Sequence, residues 1–254
     1  MGDRTEWLIE NRTYLLPNIL TTGTLMAGFA SICATILGSS IDSLYFHIAA
    51  FCILCGIVCD AVDGRLARLT GTETEFGAEY DSLSDLVAFG VAPSLLAVNA
   101  FLHSMGFIGW LAGFIYLGSA AIRLARFNCQ RHEKNKFFRG LPTPAAAAVV
   151  STFFWSMMGL GAPLENFSGL VLLGMFLLGI LMVSSFRYSS GHLKSFARII
   201  ILFCLSGLIF LAVFTTKVVP ALLIIAGAYA ISGPMMYLVW LISKPDSFER
   251  SGNS

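Results

Sequence analysis

The sequence predicts an all-α, polytopic membrane helix bundle of about eight spans, and three observations carry that prediction. Of the 254 residues, 56% are hydrophobic and only 12% charged, where a soluble domain carries about 25% charged residues. Mean hydropathy is +0.77, and apolar stretches of about 20 residues recur, each long enough as a helix to cross a hydrocarbon core of roughly 30 Å. Lysine and arginine are also distributed unevenly between alternate loops.

The expected spans are 16–38, 44–69, 78–101, 106–127, 142–160, 168–185, 198–215 and 219–243. Turn signals separate them at Gly38-Ser39-Ser40, Gly71-Thr72, Gly161-Ala162-Pro163 and Thr216-Lys217. The fifth span opens on Pro142 and Pro144, residues tolerated in a first helical turn. With the N-terminus in the cytoplasm, fifteen of the sixteen Lys and Arg residues fall on the cytoplasmic side, and only Lys217 falls outside. This asymmetry is the one the positive-inside rule demands. Residues 1–15 are polar and charged, so a cytoplasmic N-terminal segment is expected there rather than a cleavable signal peptide. A net charge of +1 gives no reason to expect a nucleic-acid partner.

Six cysteines, at 33, 52, 55, 59, 129 and 204, lie in or beside apolar segments. Cys52, Cys55 and Cys59 share a helical face, but buried cysteine behaves as a small hydrophobe and they read as packing residues. His47, His103, His132 and His192 have no metal-ligand companions. Trp110, Trp155 and Trp240 read as interfacial or packing aromatics. Lys134, Lys136 and Arg139 read as a topogenic loop facing anionic lipid.

The chemistry concentrates in DAVDGRLARLTGTETEFGAEYDSLSD, residues 60–85. Asp60 and Asp63 are three apart on the second helix, and Asp81 and Asp85 four apart on the third, so each pair shares a face. Acids inside a membrane are costly and mark function by default. Four together repel one another, and a divalent cation removes the conflict; all-oxygen ligands favour Mg²⁺, Mn²⁺ or Ca²⁺ over zinc. Gly64, Ala67 and Gly77 remove bulk so that a backbone or nucleotide can approach. Arg68 offers a planar cation for phosphate oxygens. Metal-binding carboxylates, small residues and an arginine together describe a pyrophosphate site.

In this order, Asp60-x-x-Asp63-Gly64-x-x-Ala67-Arg68, eight residues, then Gly77-x-x-x-Asp81-x-x-x-Asp85 resembles the signature of the CDP-alcohol phosphatidyltransferases at every defined position. The resemblance implies a six-helix core, here residues 16–190, with a cytoplasm-facing polar cavity, followed by two C-terminal helices and a short tail in 191–254. It implies Asp60, Asp63 and Asp81 as metal ligands, and Asp85 as metal-proximal ligand and proton acceptor. One or two divalent ions are implied, two being expected, with Mg²⁺ or Mn²⁺ as cofactor and Ca²⁺ as a further occupant. Gly64, Arg68 and Thr74 match positions that contact the CDP-lipid. Leu16-Pro17-Asn18-Ile19 with Thr21 matches a nucleotide-contacting segment, adding Pro17, Asn18 and Thr21.

Further stretches are similar to the serine-accepting branch of that family: LLPNILTTGTLMAGF, EFGAEYDSLSDLVAFGVAPS, RLARFN, FFRGLPTPAAAA and MVSSFRY. This implies CDP-diacylglycerol and L-serine as substrates, membrane lipids around the protein and a homodimer. The membrane implied is a bacterial or archaeal cytoplasmic one, with the site facing the cytoplasm. Serine's carboxylate should meet a fixed cation, and Arg123, Arg126 and Arg187 are candidates, with Asn128 as a polar orienter. Inositol, inositol phosphate, glycerol phosphate and choline remain alternative acceptors on the same chemistry. An ion-coupled transporter would place its acids near the bilayer midplane on broken helices, whereas these lie towards the cytoplasmic ends of their spans. Metal-dependent prenyl transferases also cluster aspartates on membrane helices, but without this Gly/Ala/Arg spacing.

Overall fold

The computed structural model describes residues 2–71, 74–130, 140–159, 164–184 and 219–242. They form helices α1 (Gly2–Ser40), α2 (Leu44–Thr70), α3 (Glu75–Met105), α4 (Phe107–Gln130), α5 (Thr143–Gly159), α6 (Ser168–Val183) and α7 (Val219–Ile242), with a short 3₁₀ turn at Leu164–Phe167. Among the described residues there is no strand. The protein is an all-α membrane bundle. Among the described residues, four helices are long and apolar enough to cross a membrane, at Asn18–Ser40, Leu44–Ala67, Glu75–Met105 and Phe107–Gln130, with shorter apolar helices at Ser168–Val183 and Leu223–Met235. The expected span 198–215 lies outside the described residues.

The outer surface agrees with a lipid setting. Met26, Phe107, Phe114 and Ile224 are each 68–75% exposed, and a water-facing surface would not carry so many large apolar side chains in one molecule. Between helices the residues are small or aromatic. Ala49, Ala50, Ala88, Ala92, Ala112, Ala120, Ala146 and Ala147 are fully buried, which lets backbones approach closely where lipid supplies no hydrophobic drive of its own. The limit is reached at Gly28 on α1, where an added Cβ would stand 2.7 Å from Ala88 Cα. Away from the aspartates, Phe46, His47, Phe101, Phe154 and Trp155 form an edge-to-face cluster, with Phe153 tilted against Phe101, so Trp155 is a packing residue.

Two boundaries differ from expectation. α1 begins at Gly2, far before the apolar run that starts near 16, because nothing in the polar N-terminal stretch breaks a helix and Pro17 alone does not end one. The third span is not one uniform α-helix. After Glu75–Asp85 come π-helical Leu86–Val91, α-helical Ala92–Ala97, π-helical Val98–Leu102 and a 3₁₀ turn at His103–Met105.

The first π segment has a local cause. Pro93 has no N–H, so the carbonyl of Phe89, four residues earlier, loses its α-helical donor. The Ala92 N–H reaches back five residues to Val87 O. Tyr116 on α4, fully buried, donates its hydroxyl to Phe89 O at 3.1 Å. One residue's chemistry therefore starts a π turn immediately after Asp85, and a neighbouring helix satisfies it. Ser94 adds a bond from its hydroxyl to Gly113 O at 2.8 Å. Tyr116→Phe strands a buried carbonyl, a loss of about 1–3 kcal/mol. Its purified form should melt several degrees below wild type, and an unchanged melting temperature would contradict this account of the π turn.

Candidate metal and substrate site

The turn between α2 and α3 sets the two aspartate pairs against each other. α2 ends at Gly71, whose φ of 65° is left-handed and whose N–H caps Ala67 O, a geometry that glycine adopts without strain. α3 starts with Thr74 as N-cap, its hydroxyl accepting the Gly77 N–H at 2.9 Å. A Cβ on Gly77 would lie 3.0 Å from that hydroxyl and 3.4 Å from Asn18 Oδ1. Asn18, Thr74 and Gly77, all expected at the nucleotide, are thus gathered at one corner. Tyr80 joins them by a 3.0 Å hydrogen bond with Thr22.

Carboxylate oxygens of Asp60, Asp63 and Asp81 lie within 4.8 Å of one another. Asp63 is 3% exposed and Asp85 8%. The Thr21 hydroxyl and Gly64 N–H face the Asp63 carboxylate, yet both Asp63 oxygens and Asp85 Oδ1 are buried without a partner at full hydrogen-bond geometry. The Asp60 and Asp85 carboxyl groups lie close enough to interact electrostatically. Buried polar atoms are almost always paired, so this cluster is incomplete by itself. The donor set, all carboxylate oxygen, fits a hard divalent cation.

The expected acceptor residues separate. Arg123 on α4 lies within electrostatic reach of Asp85 and Asp60. Its Nη1 donates to Thr143 Oγ1 at 3.2 Å, and its Nε is buried with no partner. Arg126 is committed elsewhere, donating to Val183 O at the end of α6, 2.9 Å away. Asn128 bridges α4 to α3: it accepts from Ser82 Oγ at 3.0 Å and donates to Glu79 Oε2 at 2.9 Å. Arg187 lies outside the described residues, as do the side chains of Pro17 and Arg68. Ala67 and Gly64 are half-buried on the aspartate side of α2.

Sequence reasoning did not single out Thr143, Glu79 or Ser82. Thr143 sits inside the FFRGLPTPAAAA stretch, where its place between two prolines at the start of a helix was a usable signal.

The fold and spacing meet an independent finding. Residues 14–183 match the family model described as CDP-alcohol phosphatidyltransferase. The chain belongs to the CDP-alcohol phosphatidyltransferase family. A Helicobacter pylori protein named CDP-diacylglycerol–serine O-phosphatidyltransferase is 36% identical over 238 residues, covering 91% of this chain and 94% of its own length. An archaetidylserine synthase from Methanothermobacter thermautotrophicus is 33% identical over 175 residues, 68% of this chain and 69% of that one. A Saccharomyces cerevisiae CDP-diacylglycerol–serine O-phosphatidyltransferase is 40% identical over 114 residues, 42% of this chain and 41% of that one. All the carboxylates discussed fall inside the family-matched segment.

An incomplete cation site predicts a defined response to metal. Ligand binding stabilises a protein by about 2.7 kcal/mol at a hundredfold excess over Kd. Mn²⁺ should therefore raise the wild-type melting temperature. Asp63→Asn should lose that shift while melting higher than wild type in metal-free buffer, because a repulsive buried charge is gone. A metal-induced shift retained by Asp63→Asn would place the cation elsewhere.

Proposed function

We propose that the protein transfers the phosphatidyl group of CDP-diacylglycerol to the hydroxyl of L-serine, giving phosphatidylserine and CMP. The observation that carries this reading is the trio of buried Asp63 and half-buried Asp60 and Asp81 with oxygens within 4.8 Å, set on the family's spacing near a basic residue with an unused donor. The extent of likeness to the serine-named Helicobacter pylori relative, 91% of this chain, supports serine over other alcohols.

In this reading Asp60, Asp63 and Asp81 hold Mg²⁺ or Mn²⁺, with two ions as the working number and Asp85 beside them. A divalent cation there would neutralise charge on the phosphate oxygens and fix their orientation. Asn18, Thr21, Thr74 and the Gly64–Arg68 face receive the CDP moiety, with Gly77 leaving room for it. Arg123 takes the serine carboxylate through its open Nε and remaining guanidinium N–H groups. Asp85 accepts the proton of the serine hydroxyl, since an alcohol needs a base within hydrogen-bond reach. The serine oxygen then forms a bond to the phosphatidyl phosphorus as the bond to CMP breaks, in one in-line displacement without a covalent enzyme intermediate. The Lys and Arg distribution supports a site on the cytoplasmic face of a bacterial or archaeal membrane.

Two measurements test this. CMP release by the purified protein with CDP-diacylglycerol and Mn²⁺ should appear with L-serine and not with inositol, glycerol phosphate or choline. Release with a different alcohol alone would replace the acceptor, and none with any alcohol would sink the reading. Asp85→Asn should cut kcat by roughly 100-fold or more, within the range for losing a general base, while CDP-diacylglycerol still binds. Loss of binding as well would argue against a base-specific role.

A further inference from the structure

Two contacts fix the antiparallel register of α3 against α4. The Ser82 hydroxyl donates to Asn128 Oδ1 at 3.0 Å, and a Cβ added at Gly90 would meet Ala120 Cβ at 3.5 Å. Eight residues separate the two contacts on each helix, so one register holds between them. It puts Arg123 level with Val87, two residues beyond Asp85 and about 3 Å further along the axis. At that height the Arg123 Nε is buried with no partner among the described residues.

The other end of the guanidinium is seated. Arg123 Nη1 donates to Thr143 Oγ1 at 3.2 Å, and Thr143 is fully buried. The segment that carries Thr143 is itself anchored on a third helix. Gly140 has a φ of 83°, and a side chain there would collide with Met182 O. Leu141, also fully buried, donates its N–H to Leu181 O at 3.0 Å. Pro142 and Pro144 then fix the backbone on either side of Thr143. Arg126, one turn along α4 from Arg123, grips Val183 O at 2.9 Å. The C-terminal end of α6 thus holds both the hydroxyl and the helix that presents the guanidinium to it.

The type of partner matters as much as its place. A carboxylate at position 143 would neutralise the guanidinium. An apolar side chain would leave it free to turn onto the carboxylates near its own level. A hydroxyl accepts the N–H without adding charge, so the cation keeps its orientation and stays available to an anionic group.

We propose that Thr143 is a positioning residue of the acceptor site: its hydroxyl, set by the anchorage of residues 140–144 on α6, holds the Arg123 guanidinium where the acceptor's carboxylate binds. This rests on the reading that Arg123 receives the serine carboxylate, and the test separates the two.

Full-length Thr143→Val, Thr143→Ala, Thr143→Ser, Arg123→Lys and the Arg123→Lys/Thr143→Val double variant are compared by steady-state CMP release, with serine and CDP-diacylglycerol varied in turn. Thr143→Val keeps the shape and removes only the hydroxyl. It should raise the serine KM by about 10-fold, the lower end for a hydrogen bond to a charged group, with little change in kcat or in the KM for CDP-diacylglycerol. Thr143→Ala should act in the same direction, and it carries the comparison if the valine variant does not fold. Thr143→Ser retains the hydroxyl and should bring the serine KM back close to wild type. In the double variant the serine KM should be no higher than in Arg123→Lys alone, since Thr143 acts through Arg123. If Arg123→Lys raises the serine KM and neither Thr143→Val nor Thr143→Ala does, the inference falls and the acceptor reading stands. A serine variant as impaired as the valine one, a loss spread equally over both substrates, or effects that multiply in the double variant would also overturn it. An unchanged serine KM in Arg123→Lys would remove the acceptor reading and this inference with it.

Discussion

Carboxylates that cannot all be satisfied by the protein govern this structure. At about 4.8 Å and an effective dielectric near 20, each pair of like charges costs roughly 3–4 kcal/mol. The fold brings Asp60, Asp63 and Asp81 to that separation and leaves both Asp63 oxygens buried without a full hydrogen bond. Such a cluster persists only where the surroundings over-determine it, and its all-oxygen donor set suits a divalent cation. The left-handed cap at Gly71, the Thr74 N-cap and the close approach at Gly28 hold the helices in that geometry.

Other features follow from keeping the carboxylates in place. α3 carries half of them and is also the helix with the interrupted hydrogen-bond ladder. Its π turn begins at the residue after Asp85, and Tyr116 from α4 holds it. Asn128 ties α4 to α3 through Ser82 and Glu79, which fixes the register of Arg123 against Asp85. Arg126 fastens α4 to the end of α6 through Val183 O. Polar side chains thus set the helix positions, while alanines and glycines set the distances between axes.

Much of this was legible in the chain. Hydropathy located the spans, because length and apolar content are local properties. The aspartates were legible because spacings of three and four put each pair on one helical face, and family spacing joined the two faces. The π turn was not foreseen: Pro93 was visible, but whether a proline ends, kinks or widens a helix depends on who satisfies the freed carbonyl, here Tyr116 on another helix. Arg123, Arg126 and Asn128 look equivalent within RLARFN, and only packing shows that one faces the aspartates while two join helices.

The central claim is that a divalent cation completes the Asp60, Asp63 and Asp81 cluster. An anomalous difference map at the manganese edge, from crystals of the protein grown with Mn²⁺, tests it most directly. The account predicts a peak within about 2.0–2.6 Å of an oxygen from each of the three aspartates, the range for hard-cation coordination. A map with no peak among them, in crystals that carry manganese elsewhere, would contradict it.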